Sequence, residues 1–418
     1  MPARPEPGAP AITEGKGMAR TGALVKLVAA TLLGLAALPA PAQDAEPASE
    51  FWAAREATVE GLESAPRVRL GIWDSGVEPA LFPGQVALGA DGAPIVRGYD
   101  AFKQRQDTAL AVLPAALLER RAELNDILRA LDDRDSGVDS PQARAIAERL
   151  RQQTPAEAAG FDDALGRWSG YVHGTGIADI ALAGNPHAEI VIARMEWWHG
   201  SPPEPCWSRE LAAREAASIA DLLGFLVDNG ARVVNMSWGR AERAYLSNLE
   251  ACAPDMPEEE RLALARYTVE TIRAALIEGM KAAPRVLFVG AAGNAGSDMK
   301  TANPATLFAL PNFLLVGAVD RHGRATEWTN TGPEVTLYAN GDRVPARLPD
   351  GGPSYPSGTS MAVPLVVNAA AKVLAVQPQL DGAGLRTLLE RTATRNGTGQ
   401  PLLHPQGAVE AARQIPAN

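Results

Sequence analysis

Three short stretches supply an acid, a base and a hydroxyl: "DSG" at Asp74, "HGTGIA" at His173 and "GTSMA" at Ser360. A serine hydroxyl is a weak nucleophile at its free pKa. It needs an imidazole to take its proton and a carboxylate to hold that imidazole in the correct tautomer. A fourth stretch, "GAAGNAG", places Asn294 in a loop of small residues that permits close backbone approach. An Asn amide N–H is a neutral donor suited to the oxygen anion of a tetrahedral intermediate. Each stretch also has an ordinary structural use. Asp-Ser-Gly is a common turn, His173 could open a helix, Ser360 could cap the helix from Met361, and Asn294 could occupy a left-handed turn. What points to nucleophilic catalysis is their joint occurrence, in the order acid, base, hydroxyl, each at a junction of regular structure and loop.

The elements that must position these groups are visible as apolar runs. "RVRLGIWDSGV", "AEIVIARM", "ARVVNMSWG", "RVLFVGAAGN" and "NFLLVGAV" read as buried strands, with amphipathic helical patterns between several of them, notably "ELAAREAASIADLLGFLVDNG" and "EERLALARYTVETIRAALIEGMKAA". Near-continuous apolar strands alternating with helices predict a mostly parallel sheet covered on both faces. In such sheets functional groups sit in loops at the carboxyl ends of the strands, which selects Asp74, Ser237 and Asn294. From about Ala101 to Trp168 the alternation stops. That segment is helical and charged, it lacks strand signals, and Ser140-Pro141 starts one of its helices, so it reads as an insertion.

The four stretches, with "VVNMSWG", the "NPA" turn at Asn303, "LLVGAVDRHGRATEWTNTG" and "LLERTATRNGTG", resemble the subtilisin-like serine peptidases, the subtilases. The resemblance runs from about Val68 to the end of the chain, and the acid–base–nucleophile order is that of subtilisin rather than of chymotrypsin or the α/β-hydrolases. It implies an α/β fold, a subtilisin-like three-layer sandwich with a mostly parallel sheet and helices on both faces. It implies a serine endopeptidase forming an acyl-enzyme on Ser360, with His173 as general base and then acid, and Asp74 orienting it. Asn294 and the Ser360 N–H would form the oxyanion hole. Ser237, Trp238 and Gly239 would pair with an extended substrate, and Ala291, Ala292 and Gly293 would line the opposite wall of the specificity pocket. No cofactor is required. Structural calcium is common in the family, but no ligand set can be named, and His199 and Cys206 are too few for a metal site.

On this reading the Ser360 hydroxyl sits at a helix N-terminus, where the peptide dipole and free N–H groups favour negative charge. Pro364 falls in the first turn, where its missing N–H costs little. Trp238, at the pocket rim, narrows the cleft and favours apolar side chains upstream of the scissile bond. Several features depart from the family pattern. Asp74 and His173 stand 99 positions apart because the insertion lies between them, and it reads as a lid, a docking surface, a built-in inhibitor or a plain surface hairpin of helices. Asp179 replaces a usual small residue, facing either His173 or solvent, and Leu365 and Asn368 replace the usual His and Gly. Between the leader and the first strand there are too few residues for a compact inhibitory pro-segment.

Composition sets the remaining bounds. The 418 residues are 46% hydrophobic and 21% charged, enough for a large core, and the net charge of -10 lacks the basic footprint of a nucleic-acid binder. The domains are expected as residues 1–42, an upstream extension and signal peptide; 43–66, a linker or N-terminal arm; and 67–418, the peptidase domain with its insertion at about 101–168. A start at Met18 gives a leader with Arg20 and Lys26, the apolar run Leu27 to Leu38 and the small residues Ala40-Pro41-Ala42. That run is short for a membrane span, so cleavage leaves no span, and an uncleaved anchor is the alternative. The protein is therefore expected to be exported, to a periplasm or outside the cell, with a protein or peptide substrate. Its oligomeric state is not legible. Cys206 and Cys252 pair in one disulfide or remain two thiols. Beside the freely active peptidase, and a peptidase of narrow specificity held latent by its insertion, stand two rivals of other kinds. One is an α/β-hydrolase using Ser360, Asp381 and His404, opposed by Ala362 where the nucleophile elbow has Gly and by the little chain left for its later strands. The other is a non-catalytic peptide-binding or scaffold protein on the same fold.

Overall fold

Val68–Asp74 is apolar apart from Arg69 and its last residue Asp74, and a run of that kind is stable as a strand only between two covered faces. It forms β1, at the middle of the sheet. The computed structural model describes residues 49–59, 67–200, 204–239, 241–302 and 304–416; the leader expected over 1–42 lies outside them, as does Asn303 of the NPA turn.

A short helix, α1 (Glu50–Ala53), precedes β1 (Val68–Asp74) and β2 (Val96–Tyr99). Four helices follow: α2 (Ala115–Glu119), α3 (Arg121–Asp135), α4 (Pro141–Gln152) and α5 (Pro155–Leu182). Strands and helices then alternate through β3 (Ala188–Met195), α6 (Arg209–Asp228), β4 (Ala231–Met236), α7 (Glu242–Cys252), α8 (Glu258–Ala282), β5 (Leu287–Ala291), α9 (Met299–Ala302), β6 (Phe313–Val319) and β7 (Leu337–Asn340). A small hairpin of β8 (Ala346–Arg347) and β9 (Pro353–Ser354) leads into α10 (Thr359–Val376), and α11 (Gly382–Thr392), β10 (Thr394–Arg395), β11 (Pro401–Leu402) and α12 (Pro405–Arg413) close the described chain.

Among the described residues nine strands form one sheet in the order β10-β11-β7-β6-β5-β4-β1-β3-β2, parallel except for the β10–β11 edge pair. One face packs on α5, α10, α11 and α12, and the other on α6, α7 and α8. This is the three-layer sandwich expected. The helix α10 crosses the first of these cores, with Val363, Val366, Val367 and Val373 wholly buried, each valine contributing about 1.5–3 kcal/mol. It is long and apolar enough for a membrane span, but most of it is buried inside the molecule.

The inserted segment builds small cores of its own, around Leu117, Leu124 and Trp168 and around Ile127, Ile146 and Phe161. Ser140 caps α4 as expected, accepting the Ala143 N–H. His173, however, does not open a helix. Thr154 and Glu157 form a capping box and α5 then runs unbroken through His173 to Leu182, so the insertion and the His173 helix are one rod. Residues 49–59 pack as an arm on the far end of the sheet. Trp52 Nε1 donates to the Asp320 carbonyl at 3.3 Å, Ala57 is buried, and Glu56 pairs with the buried ammonium of Lys372 in α10. Cys206 and Cys252 form a disulfide with Cα atoms 5.6 Å apart, tying the Trp- and Pro-rich loop after β3 to α7. Closing that loop stabilises the fold by about 4 kcal/mol in the chain-entropy account.

Asp132, on α3, carries a testable burden. Desolvation pushes its carboxyl from 3.8 up to about 7, although Arg343 and the Tyr355 N–H act in the opposite direction. A carboxyl whose folded pKa exceeds its unfolded value destabilises the fold as it ionises, so the penalty is absent well below pH 3.8, grows from there to about pH 7 and is complete above it. Asp132→Asn, which can still accept from Tyr355, is expected to raise the melting temperature at pH 8 and to change it far less at pH 4. An equal shift at both pH values would remove burial as the cause.

Candidate active site

The carboxyl ends of β1, β4 and β5 lie side by side, and the loop from each brings one polar group to the same edge. Asp74, the last residue of β1, is fully buried. Its Oδ1 accepts both the Ser75 N–H and His173 Nδ1, each at 2.7 Å. Helix α5 reaches this carboxylate because residue 174 is glycine: a Cβ there would collide with the Gly76 backbone and lie 3.1 Å from Asp74 Oδ1. Ser75 Oγ accepts the Gly174 N–H at 3.0 Å and completes the join. Burial pulls the His173 imidazole toward its neutral form, but the charge and hydrogen bond of Asp74 outweigh burial and hold its pKa above the ordinary value. Nδ1 is therefore the protonated nitrogen in the neutral ring, and Nε2 is the free base.

Ser360 stands in the first turn of α10, before any intrahelical acceptor exists for its N–H. Gly358 caps the helix at φ 153, so Pro364 lies beyond the first turn and not within it, a correction to the expected position. Its ring removes the N–H that would bond the Ser360 carbonyl, and Ser237 Oγ takes that carbonyl instead at 2.8 Å. In return the Ser360 hydroxyl donates to the Ser237 carbonyl at 3.2 Å, not to His173. Catalytic hydrogen bonds are often long or poorly aligned in unliganded sites. Asn294, from the loop after β5, accepts both the Thr359 N–H and the Thr359 hydroxyl on Oδ1 at 2.9 Å, which sets Nδ2 beside Gly358 over the start of α10. With the acceptor side of the amide anchored on Thr359, its Nδ2 donors are left for another partner.

A cavity of about 380 Å³ opens at Ser360 and His173. Its lining includes Trp238 and Gly239 from the loop after β4, Ala291 and Gly293 from the end of β5 and the loop after it, and Phe313 and Leu315 from β6. Ala292 is not among the lining residues. β5 ends at Ala291, and Ala292 is fully buried in the core on the α6–α8 face, its N–H donating to the Val316 carbonyl at 2.9 Å. Ser237 is 3% exposed and its hydroxyl is spent on the Ser360 carbonyl, so it braces the nucleophile as well as edging the cleft. Trp238 packs edge-on against Trp73 with ring centres 4.9 Å apart, which fixes the rim.

Three residues singled out in the sequence settle elsewhere. Asp179 pairs with Arg347 at 2.6 Å and does not meet His173. Asn368 donates to the carbonyls of Ala181 at 2.9 Å and Ala183 at 2.8 Å, capping the end of α5. His199 is buried, and desolvation with the charges of Arg194, Arg167 and Lys103 pushes it down to about 3, so it stays neutral. Cys206 is committed to its disulfide, and among the described residues no group of three His, Cys, Asp or Glu gathers to hold a metal ion. Sequence reasoning missed the Ser237–Ser360 clasp, for which the only signal was a proline one turn too deep. Ser237→Ala leaves the Ser360 carbonyl without that donor and is expected to cost about 1–3 kcal/mol of stability. Denaturant unfolding checks this, and an unchanged midpoint would show that the carbonyl is satisfied without Ser237.

The sequence profile of the Subtilase family matches residues 68–409. A subtilisin of Bacillus pumilus is 33% identical over 129 residues, 30% of this chain and 47% of its own length. A thermostable alkaline protease of Halalkalibacterium halodurans is 29% identical over 197 residues, 47% of this chain and 45% of its own. The chain thus spans less than half the length of these curated relatives. Among solved structures, the A-subunit of the AB5 toxin from E. coli matches with a TM-score of 0.50 at 14% identity, covering 88% of this chain and 100% of that one, a likeness of fold alone. With its profile match running across the whole sheet and the site at its edge, the chain belongs to the subtilase family.

Proposed function

We propose that this protein is an exported serine endopeptidase that cleaves protein or peptide substrates through an acyl-enzyme on Ser360. The observation that carries the reading is the buried Asp74 carboxylate holding His173 Nδ1 at 2.7 Å, which leaves Nε2 as the free base, with His173 and Ser360 lining one cavity. His173 takes the hydroxyl proton as Ser360 attacks the scissile carbonyl. Asn294 Nδ2 and the Ser360 N–H receive the oxygen anion, and His173 then returns the proton to the leaving amine. Water repeats the sequence on the acyl-enzyme and frees the second product. The reading needs no organic cofactor. Export is supported by the leader-like N-terminus and by a disulfide, which persists in oxidising compartments.

Catalysis by this route requires a neutral imidazole, and His173 is held above its ordinary 6.5 by Asp74. The kcat/KM profile is therefore expected to fall on the acid side with a midpoint above 6.5, and Asp74→Asn to lose most of the activity and shift what remains to lower pH. A wild-type acid limb at or below 6.5 would mean that Asp74 does not stabilise the imidazolium.

The site itself is tested by treating the protein with a fluorophosphonate probe, beside a Ser360→Ala control, and mapping the adduct by mass spectrometry. Labelling at Ser360 that the control lacks is the expected result. The hydroxyl's bond to Ser237 in place of His173 favours a second reading, a peptide-binding protein that retains the fold without the reaction. Folded protein that binds peptides but never labels would establish that reading.

A further inference from the structure

The inserted helices end against the segment that delivers Ser360. Residues 341–358 form a hairpin in which the Gly358 N–H donates to the Gly341 carbonyl at 2.7 Å, the Val344 N–H donates to the Pro356 carbonyl at 3.0 Å, and β8 pairs with β9. Ser360 follows two residues after its closing bond. Helix α3 runs along this hairpin: Asn125 Nδ2 donates to Asp350 Oδ2 at 3.0 Å, Arg129 to the Pro353 carbonyl at 3.4 Å, and Arg343 Nη1 to Asp133 Oδ1 at 2.8 Å. The Arg343 and Asp133 side chains are 6% and 10% exposed. Arg343 also adopts φ 47, a left-handed conformation that a long side chain keeps only where its surroundings fix it. On the other flank α5 grips the same hairpin. Asp179 accepts from Arg347 Nε at 2.7 Å, and Leu348 packs with Trp168 and with Val172, the neighbour of His173.

We propose that the insertion is a fixed strut and that Asp133 and Arg343 are positioning residues that set Ser360 against His173. The rod α5 carries the base and is continuous with the insertion, while the hairpin carries the nucleophile. Asp133, on α3 of the insertion, and Arg343, on the hairpin, form the buried ion pair between the insertion and the hairpin. Replacing a buried ion pair by apolar groups often costs little stability, so what this pair supplies is one defined geometry. The placement also speaks against a lid, because among the described residues none of the cavity lining comes from 101–168.

The inference rests on the peptidase reading, so its test has two readouts, one of which needs no activity. Hydrogen exchange is followed at the amides of Val344, Leu348 and Gly358. In parallel, the fluorophosphonate labelling rate, kcat and KM are measured on Asp133→Asn and on the double variant Asp133→Leu with Arg343→Met. For Asp133→Asn, the hairpin amides are expected to exchange at least tenfold faster, labelling and kcat to fall at least tenfold, and KM to stay within twofold. The double variant is expected to recover the wild-type melting temperature without recovering the labelling rate. Wild-type labelling by folded Asp133→Asn overturns the proposal, as does a double variant that regains rate and stability together. Should Asp133→Asn fail to fold, the double variant carries the same readouts. If the wild type never labels, the peptidase reading falls, and the strut is still decided: unchanged exchange at Gly358 overturns it and faster exchange upholds it.

Discussion

The constraint from which the site follows is that an apolar helix must cross the core and still surface, at its N-terminal end, on the carboxyl edge of the sheet. The wholly buried valines of α10 leave it no freedom to slide. Its first turn must emerge where β4 and β5 end, and the loops after those strands hold it there from both sides, Ser237 through the Ser360 carbonyl and Asn294 through Thr359. Further along the same helix Asn368 closes the orphan carbonyls at the end of α5. One rod therefore carries the hydroxyl, the other carries the imidazole, and besides their apolar packing the Asn368 amide joins them about two turns from either group.

Charge then separates two imidazoles that both meet Trp197, with ring centres 6.1 and 6.4 Å from it. His173, 20% exposed at its side chain and bonded to a carboxylate, is biased toward carrying a proton, whereas His199, buried among three cations, is barred from it. Identical side chains are thus given opposite electrostatic duties by their partners. The wholly buried Asp74 is affordable in the same terms, since Oδ1 accepts two donors, although Oδ2 has no hydrogen-bond partner among the described residues.

Much of this was legible in the residue order, and the failures are instructive. The five apolar runs became β1, β3, β4, β5 and β6 because a strand buried on both faces shows itself in composition alone. The strands of two residues at β8 to β11 have no pattern long enough to read. Helix α5 was obscured by its own glycines, which resemble breaks but are notches: residues 166, 170 and 174 face Trp198, His199 and Gly76. The pairs Ser237–Ser360 and Asp133–Arg343 join residues 123 and 210 positions apart, and such partners cannot be assigned before the topology is known.

The N-terminal arm has a consequence for how the chain is made. Glu56 meets Lys372 across a sequence separation of 316, and the Arg55 carbonyl accepts the Gln406 N–H, so one of the earliest described segments to leave a ribosome finds its partners only among the last. During synthesis the arm is an apolar, unpaired strip, and α10 arrives with an ammonium that has to be buried. Contacts of such long range close late and slowly. The far end of the sheet is therefore expected to be the last part of the molecule to consolidate, and in the interval α10 is exposed to aggregation and to whatever holds unfinished chains.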